Sequence, residues 1–314
     1  MLHRPSTRRR FLRDGAATTL AFATLLRSTR GFADEISYVG AAGARFGPLV
    51  PDPNGMLDLP KGFSYRVVSR TGDEMSDGLL VPGAPDGMGA FAGPDGKTIV
   101  VRNHELGNDV PKLGPYGPDN ARFSVVPADD VYDTGGGTTP ALGGTTTFVW
   151  STKDGTLERQ FQSLAGTIRN CAGGPTPWGS WLSCEEATKD PYGGTAQPHG
   201  FVFEIPATYD VKHATPLPLR AMGRFNHEAA AVDPKSGCVY MTEDREDGLL
   251  YRFLPTDRTK LAAGGRLQAF RVSPCKFGID VRNWKTRDAA PGALMSVQWV
   301  DLEDVEAPDD DLRL

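Results

Sequence analysis

The sequence predicts an all-β chain folded as a β-propeller. Three observations carry this: short β-type runs between marked turns, no long helical stripe, and an imperfect strand–turn–strand repeat. The runs fall at 63–68, 98–102, 145–150, 157–162, 178–184, 200–205, 228–232, 237–241, 249–253, 267–272 and 296–300. Each is short, and most carry branched or aromatic residues. Turn residues separate them at Pro94-Asp95-Gly96, Lys153-Asp154-Gly155 and Pro234-Lys235-Ser236-Gly237. Between residues 40 and 300 no apolar stripe keeps a helical period. The 37 Gly and 25 Pro among 314 residues suit a turn-rich β protein and fall short of the level that marks disorder.

The repeat narrows the class. Residues 90–105 run strand, turn, strand and end on Glu105, residues 173–186 end on Glu185-Glu186, and residues 228–244 end on Glu243-Asp244. Counted from the turn proline, the acids fall at +11 (Pro94 to Glu105), +9 (Pro177 to Glu186) and +9 or +10 (Pro234 to Glu243 or Asp244). Repeating units of roughly 40–50 residues are what propeller blades look like in sequence. Strands of a blade step outward from the axis, so acids at matching places converge on the central channel.

Charge and length set outer bounds. No apolar run approaches the ~20 residues of a membrane-spanning helix. The first 33 residues hold seven Arg and one acid, leaving 27 basic against 38 acidic side chains, a net of −11. So acidic a body is a poor nucleic-acid binder and suits oxygen-ligand cations better.

The N-terminus reads as an export address. Thr7-Arg8-Arg9-Arg10-Phe11-Leu12-Arg13 has the twin-arginine pattern, a weakly apolar stretch at 16–26 follows, and Gly31-Phe32-Ala33 offers small residues for cleavage before Asp34. Residues 1–33 are expected to be a removed signal peptide and 34–314 the propeller domain. The mature protein is then periplasmic or secreted, with no membrane attachment after processing. That route exports folded proteins, often with a cofactor already loaded. Four cysteines remain, Cys171, Cys184, Cys238 and Cys275. They permit three disulfide connectivities, and no C-x-x-C pair points to a thiolate zinc site.

Familiar catalytic patterns are missing. Trp178-Gly179-Ser180-Trp181 breaks the nucleophile-elbow pattern, and the chain has neither a phosphate-loop motif nor H-E-x-x-H. What remains is a set of carboxylates at strand ends: Glu105, Glu185, Glu186, Glu228, Glu243, Asp244 and Asp247, with Cys171 in the loop Asn170-Cys171-Ala172-Gly173-Gly174. Hard cations such as calcium need several carboxylate oxygens together, and a thiolate beside them suggests a softer transition metal such as iron. Asn-His-Glu also occurs twice, at 103–105 and 226–228.

These residues resemble the PhoX-type alkaline phosphatases. The likeness rests on the run from Arg169-Asn170-Cys171-Ala172-Gly173-Gly174 to Trp181-Leu182-Ser183-Cys184-Glu185-Glu186. Gly223-Arg224-Phe225-Asn226-His227-Glu228 with Tyr240-Met241-Thr242-Glu243-Asp244 adds a second segment, and Arg102-Asn103-His104-Glu105 a third. It extends over about residues 35 to 300, and the leader fits it. The resemblance implies a six-bladed propeller with two ferric and three calcium ions on its axis, hydrolysing small-molecule phosphomonoesters. The metals, not a side-chain nucleophile, then carry the reaction. Mapped residue by residue, Cys171 is the iron thiolate ligand, and Glu186 and Glu228 are cluster carboxylates. Asp244 is the preferred ligand of the third segment, with Glu243 and Asp247 as rivals, and Glu105 comes from the shortest motif. Family members run on past this point, and their later blades add an arginine to the bound phosphate and further acidic ligands. The chain is therefore expected to be a C-terminally truncated propeller of about four blades, with two sheet edges exposed. A calcium-dependent propeller lactonase or esterase, and a non-catalytic calcium-binding propeller, are the alternatives.

Overall fold

The structure, a computed structural model, describes residues 46–137, 139–189, 193–273, 279–282, 284, 289–307 and 311–312. The expected export leader and Cys275 lie outside them. The chain divides into two units, one up to Val67 and one from Val68 onward.

The first unit contains an antiparallel pair, β1 (Leu49–Val50) and β2 (Leu59–Pro60). Its turn is organised by Asp52, whose carboxylate accepts the N–H groups of Asn54, Met56 and Leu57 and the Tyr65 hydroxyl. The strand expected at 63–68 does not form. Its residue types suit a strand, but Tyr65 is held by the turn instead, and a strand exists only with a ladder partner.

Three antiparallel meanders make up the second unit. The first sheet holds β3 (Pro85–Ala92), β4 (Lys97–His104), β5 (Gly143–Ser151) and β6 (Thr156–Thr167). The second holds β7 (Asn170–Pro175), β8 (Ser180–Glu185) and β9 (Val202–Pro206). The third holds β10 (His227–Val232), β11 (Val239–Glu243), β12 (Leu250–Pro255), β13 (Gly265–Val272) and β14 (Val297–Asp301). Within each sheet the spatial order of strands is their order in the chain. β7 packs against both β3 and β10, so the first strands of the three sheets stand side by side. Successive meanders fanning out from adjacent first strands are the architecture of a β-propeller.

Sheet-on-sheet burial holds this fan together. Val101, Leu164, Trp181, Phe201, Phe203 and Ile205 fill the space shared by the first and second sheets. Leu182, Val202, Phe225, Met241, Tyr251 and Phe253 do the same for the second and third. Each such side chain contributes roughly 1.5–3 kcal/mol on burial. Among the described residues no helix is long and apolar enough to cross a membrane.

β3 begins at Pro85, ahead of the repeat that the sequence places from residue 90, and β7 occupies the stretch 170–174 expected as a loop. Pro-Asp-Gly-Met-Gly and Asn-Cys-Ala have little intrinsic strand preference. They are strands because β4 and β8 pair with them, and the glycines within β3 and β7 let neighbouring backbone approach. A Cβ on Gly87 would lie 2.8 Å from the Ala172 Cα, and one on Gly174 would collide with the Ala230 carbonyl oxygen. Close approach of another backbone is what glycine within a strand permits.

Candidate metal centre

Each of the three sheets begins with the same irregularity. The first residue of the first strand pairs with the last residue of the second: Pro85 with His104, Asn170 with Glu185, His227 with Glu243. The next pairs are Met88 with Arg102, Gly173 with Ser183 and Ala230 with Met241. Two residues therefore oppose one in every sheet, which is a β-bulge, a device that re-aims side chains. The leading residue of each bulge is Asp86, Cys171 or Glu228. The residue just past each second strand is Glu105, Glu186 or Asp244, and its N–H donates to the carbonyl of Ala84, Arg169 or Asn226 respectively. Six potential ligands thus come from two positions, each used three times.

These side chains meet where the first strands adjoin. Ligand atoms of Cys171, Glu186 and Glu228 all lie within 4.8 Å of one another. The Cys171 Sγ is buried, 3.3 Å from the His227 carbonyl and 3.7 Å from Glu228 Oε2. Glu105, Glu186 and Glu228 are half-buried, whereas Asp86 and Asp244 are exposed, so the group opens to solvent on one side. Asn103, the residue opposite the first bulge, donates from Nδ2 to the carbonyls of Cys171 (3.1 Å) and Ala172 (2.7 Å) and so ties the first sheet to the second bulge.

Electrostatics records the crowding. Burial, then hydrogen bonding to Asp244 and Glu105, pushes the Glu186 carboxyl up to about 8 against the pull of Arg169. Burial and the Glu105 charge raise Asp86. Burial raises Glu228, with Asp244, Asp86 and Glu105 adding to it. Burial also pushes the Cys171 thiol far up. Among the described residues, five carboxylates and a thiol face one guanidinium, that of Arg169, ion-paired with Glu105 Oε1 at 2.6 Å and donating to Glu186 Oε2 at 3.0 Å. Such a set is short of positive charge, and added cations would relieve it. The donors fit a mixed centre, with hard oxygens for calcium and one sulfur for a softer metal.

Other sequence candidates are used differently. The Glu243 carboxylate accepts the Leu249 N–H at 3.0 Å and the buried Tyr251 hydroxyl at 3.2 Å. It shapes its own loop, so of the two neighbouring acids it is Asp244 that joins the group. Asp247 pairs with Arg245. Glu185 is fully buried and accepts the N–H groups of Ile168, Gly200 and Phe201 together with His199 Nδ1. The two Asn-His-Glu copies are not equivalent, since 103–105 closes a second strand and 226–228 opens a first strand. Both histidines are core residues: His104 bonds Gly83 O and Thr146 Oγ1, and His227 bonds Gly223 O and stacks on Phe225 at 3.6 Å. Cys171, Cys184 and Cys238 are free thiols.

The sequence reading does not single out Asp86 or Asn103 as site candidates, although the structure brings both to this group. Asp86 lies in Pro85-Asp86-Gly87, whose composition suggests a turn. Aligning the starts of the repeats, and not only their acidic ends, would have matched Asp86 with Cys171 and Glu228.

The family model for alkaline phosphatase PhoX matches residues 44–312. The chain belongs to the PhoX alkaline phosphatase family. Among solved structures it is similar to Pseudomonas fluorescens PhoX in complex with vanadate, a transition state analogue, at 20% identity and a TM-score of 0.50. That match covers 77% of this chain and 56% of the other, so the chain spans little more than half the length of this PhoX. It supports the propeller fold seen here. Comparison with curated proteins gives no match.

Proposed function

We propose that the chain is a metal-dependent phosphomonoesterase, exported by the twin-arginine route and working in the periplasm or outside the cell. The observation that carries this reading is the meeting of one thiol and two carboxylates within 4.8 Å at the hub of a PhoX-family propeller. Cys171, Glu186 and Glu228 would hold the deepest metal, for which iron is proposed. Asp86, Glu105 and Asp244 would complete the calcium sites nearer solvent. Ferric and calcium ions held there would polarise a phosphoryl group and activate water for its hydrolysis.

The chain's own contribution is positional. Three bulges aim three ligands inward from separate strands, and Asn103 locks the carbonyls beside Cys171. Burial shields the Cys171 sulfur, which matters in an oxidising compartment. No side-chain nucleophile is assigned. The substrates expected are small phosphomonoesters, since the chemistry is directed at the phosphate itself.

Metal analysis of protein purified from the periplasm, with a p-nitrophenyl phosphate assay, tests the proposal. Iron and calcium with phosphate release are expected. Protein lacking both metals and any hydrolysis would overturn it. Turnover of lactones with calcium alone and with Cys171 dispensable would select a lactonase instead.

A further inference from the structure

Among the described residues Arg169 is the one guanidinium paired within the acidic group, and its backbone part does not depend on its side chain. It immediately precedes β7, and the corresponding residues ahead of β3 and β10 are Ala84 and Asn226. Each offers its carbonyl to the N–H of the acid past the second strand, at 2.9 Å for Ala84, 3.0 Å for Arg169 and 3.1 Å for Asn226. Ala84 and Arg169 even share a left-handed φ of 44°. An alanine thus does the same backbone work in the neighbouring sheet. Long side chains rarely occupy that conformation, and strain of this kind gathers at functional sites.

The side chain is anchored through a single nitrogen. Nη2 donates to Glu186 and is ion-paired with Glu105, while Nε and Nη1 have no acceptor among the described residues. The side chain is 38% exposed, against 14% for that of Glu186. A partly exposed guanidinium engaged through one nitrogen therefore keeps N–H groups available to a further ligand. Guanidinium edges match phosphate oxygens in geometry and charge.

Resting on the phosphatase reading above, we propose that Arg169 binds the phosphoryl oxygens of the substrate while its Nη2 aligns Glu105 and Glu186. It is a substrate-binding residue supplied by the second sheet of this chain.

The test compares wild type, Arg169→Ala and Arg169→Lys, each metal-loaded, by inorganic-phosphate titration calorimetry together with elemental analysis. Arg169→Ala is expected to fold, because Ala84 adopts the same backbone conformation. It should keep its metals and bind phosphate at least tenfold more weakly, with KM raised in step. Arg169→Lys should recover part of that loss, since a point charge replaces a planar donor edge. Unchanged phosphate affinity with metals retained would overturn the proposal. So would loss of metal in both variants, which would make Arg169 a support for the carboxylates alone. Wild-type protein that takes up no metal would instead sink the phosphatase reading, and the proposal with it.

Discussion

Cys171 and Glu228 belong to different sheets, yet the sulfur of one lies 3.7 Å from a carboxylate oxygen of the other. Each is the leading residue of a bulge at the start of a first strand. The same local defect, repeated on adjacent strands, brings together side chains 57 positions apart in sequence.

Cys171→Ala should remove iron and spare calcium. The thiol is the softest donor in the group, and the five carboxylates remain. Elemental analysis should show iron falling below a tenth of the wild-type content while calcium stays. The shortened side chain leaves only a small cavity in a core that includes Leu182 and Met241, so stability should fall by about 1 kcal/mol. Iron retained at the wild-type level would refute the ligand assignment.

Asp86→Asn and Glu243→Gln should separate binding from support. Asp86 shares the bulge position of Cys171 and Glu228, and its neutralisation should lower calcium affinity about tenfold, roughly 1.4 kcal/mol. Glu243 accepts the Leu249 N–H and the Tyr251 hydroxyl. Its amide variant should keep the metals and cost about 1 kcal/mol of stability. Calcium titration and thermal melting of both variants read the two effects. The reverse pattern would exchange the roles of the two residues.

Much of the fold was legible in the sequence, because β9, β11 to β14 and most of β4 to β6 carry branched and aromatic residues between clear turns. The leading segments of β3 and β7 were not. Gly87, Gly173 and Gly174 are there for the backbone packed against them, a tertiary cause with no local trace. At the candidate site, the acids ending second strands stood out as Glu105, Glu186 and the pair Glu243-Asp244, because their spacing from a turn proline nearly repeats, at +11, +9 and +9 or +10. The resemblance already favours Asp244 over Glu243, and the structure supplies the reason: the Glu243 carboxylate is taken up by the Leu249 N–H and the Tyr251 hydroxyl. The bulges were invisible, and Asp86 with them.

His199 should make stability depend on pH with a definite sign. Its side chain is buried between Asp133 Oδ2 at 3.2 Å and Glu185 Oε1 at 2.6 Å. Burial disfavours its charge, but Glu185 and Asp133 outweigh that and raise it to about 9. A histidine raised above its unfolded value of about 6.5 contributes fully below that pH and loses the contribution as pH rises through 9. His199→Gln should therefore cost about 3–5 kcal/mol at pH 6 and clearly less at pH 10. Urea unfolding of both proteins at the two pH values measures the difference. A cost independent of pH would mean that the histidine is neutral in the folded state.

Gly174→Ala should damage the fold and the centre together, whereas Gly179→Ala should touch only the fold. A Cβ on Gly174 would strike the Ala230 carbonyl, whose carbon lies 2.8 Å away, and backbone cannot step aside as a flexible side chain can. Relief requires β7 to move away from β10, which separates Cys171 from Glu228. The expected cost is about 2–3 kcal/mol, with loss of bound iron. Gly179 has φ 89° and nothing within 4 Å of its added Cβ. Its variant should lose about 1 kcal/mol to backbone strain and keep its metals. Melting temperature and iron content, measured side by side, decide the matter: if Gly174→Ala keeps its iron, the spacing of β7 and β10 does not set the centre.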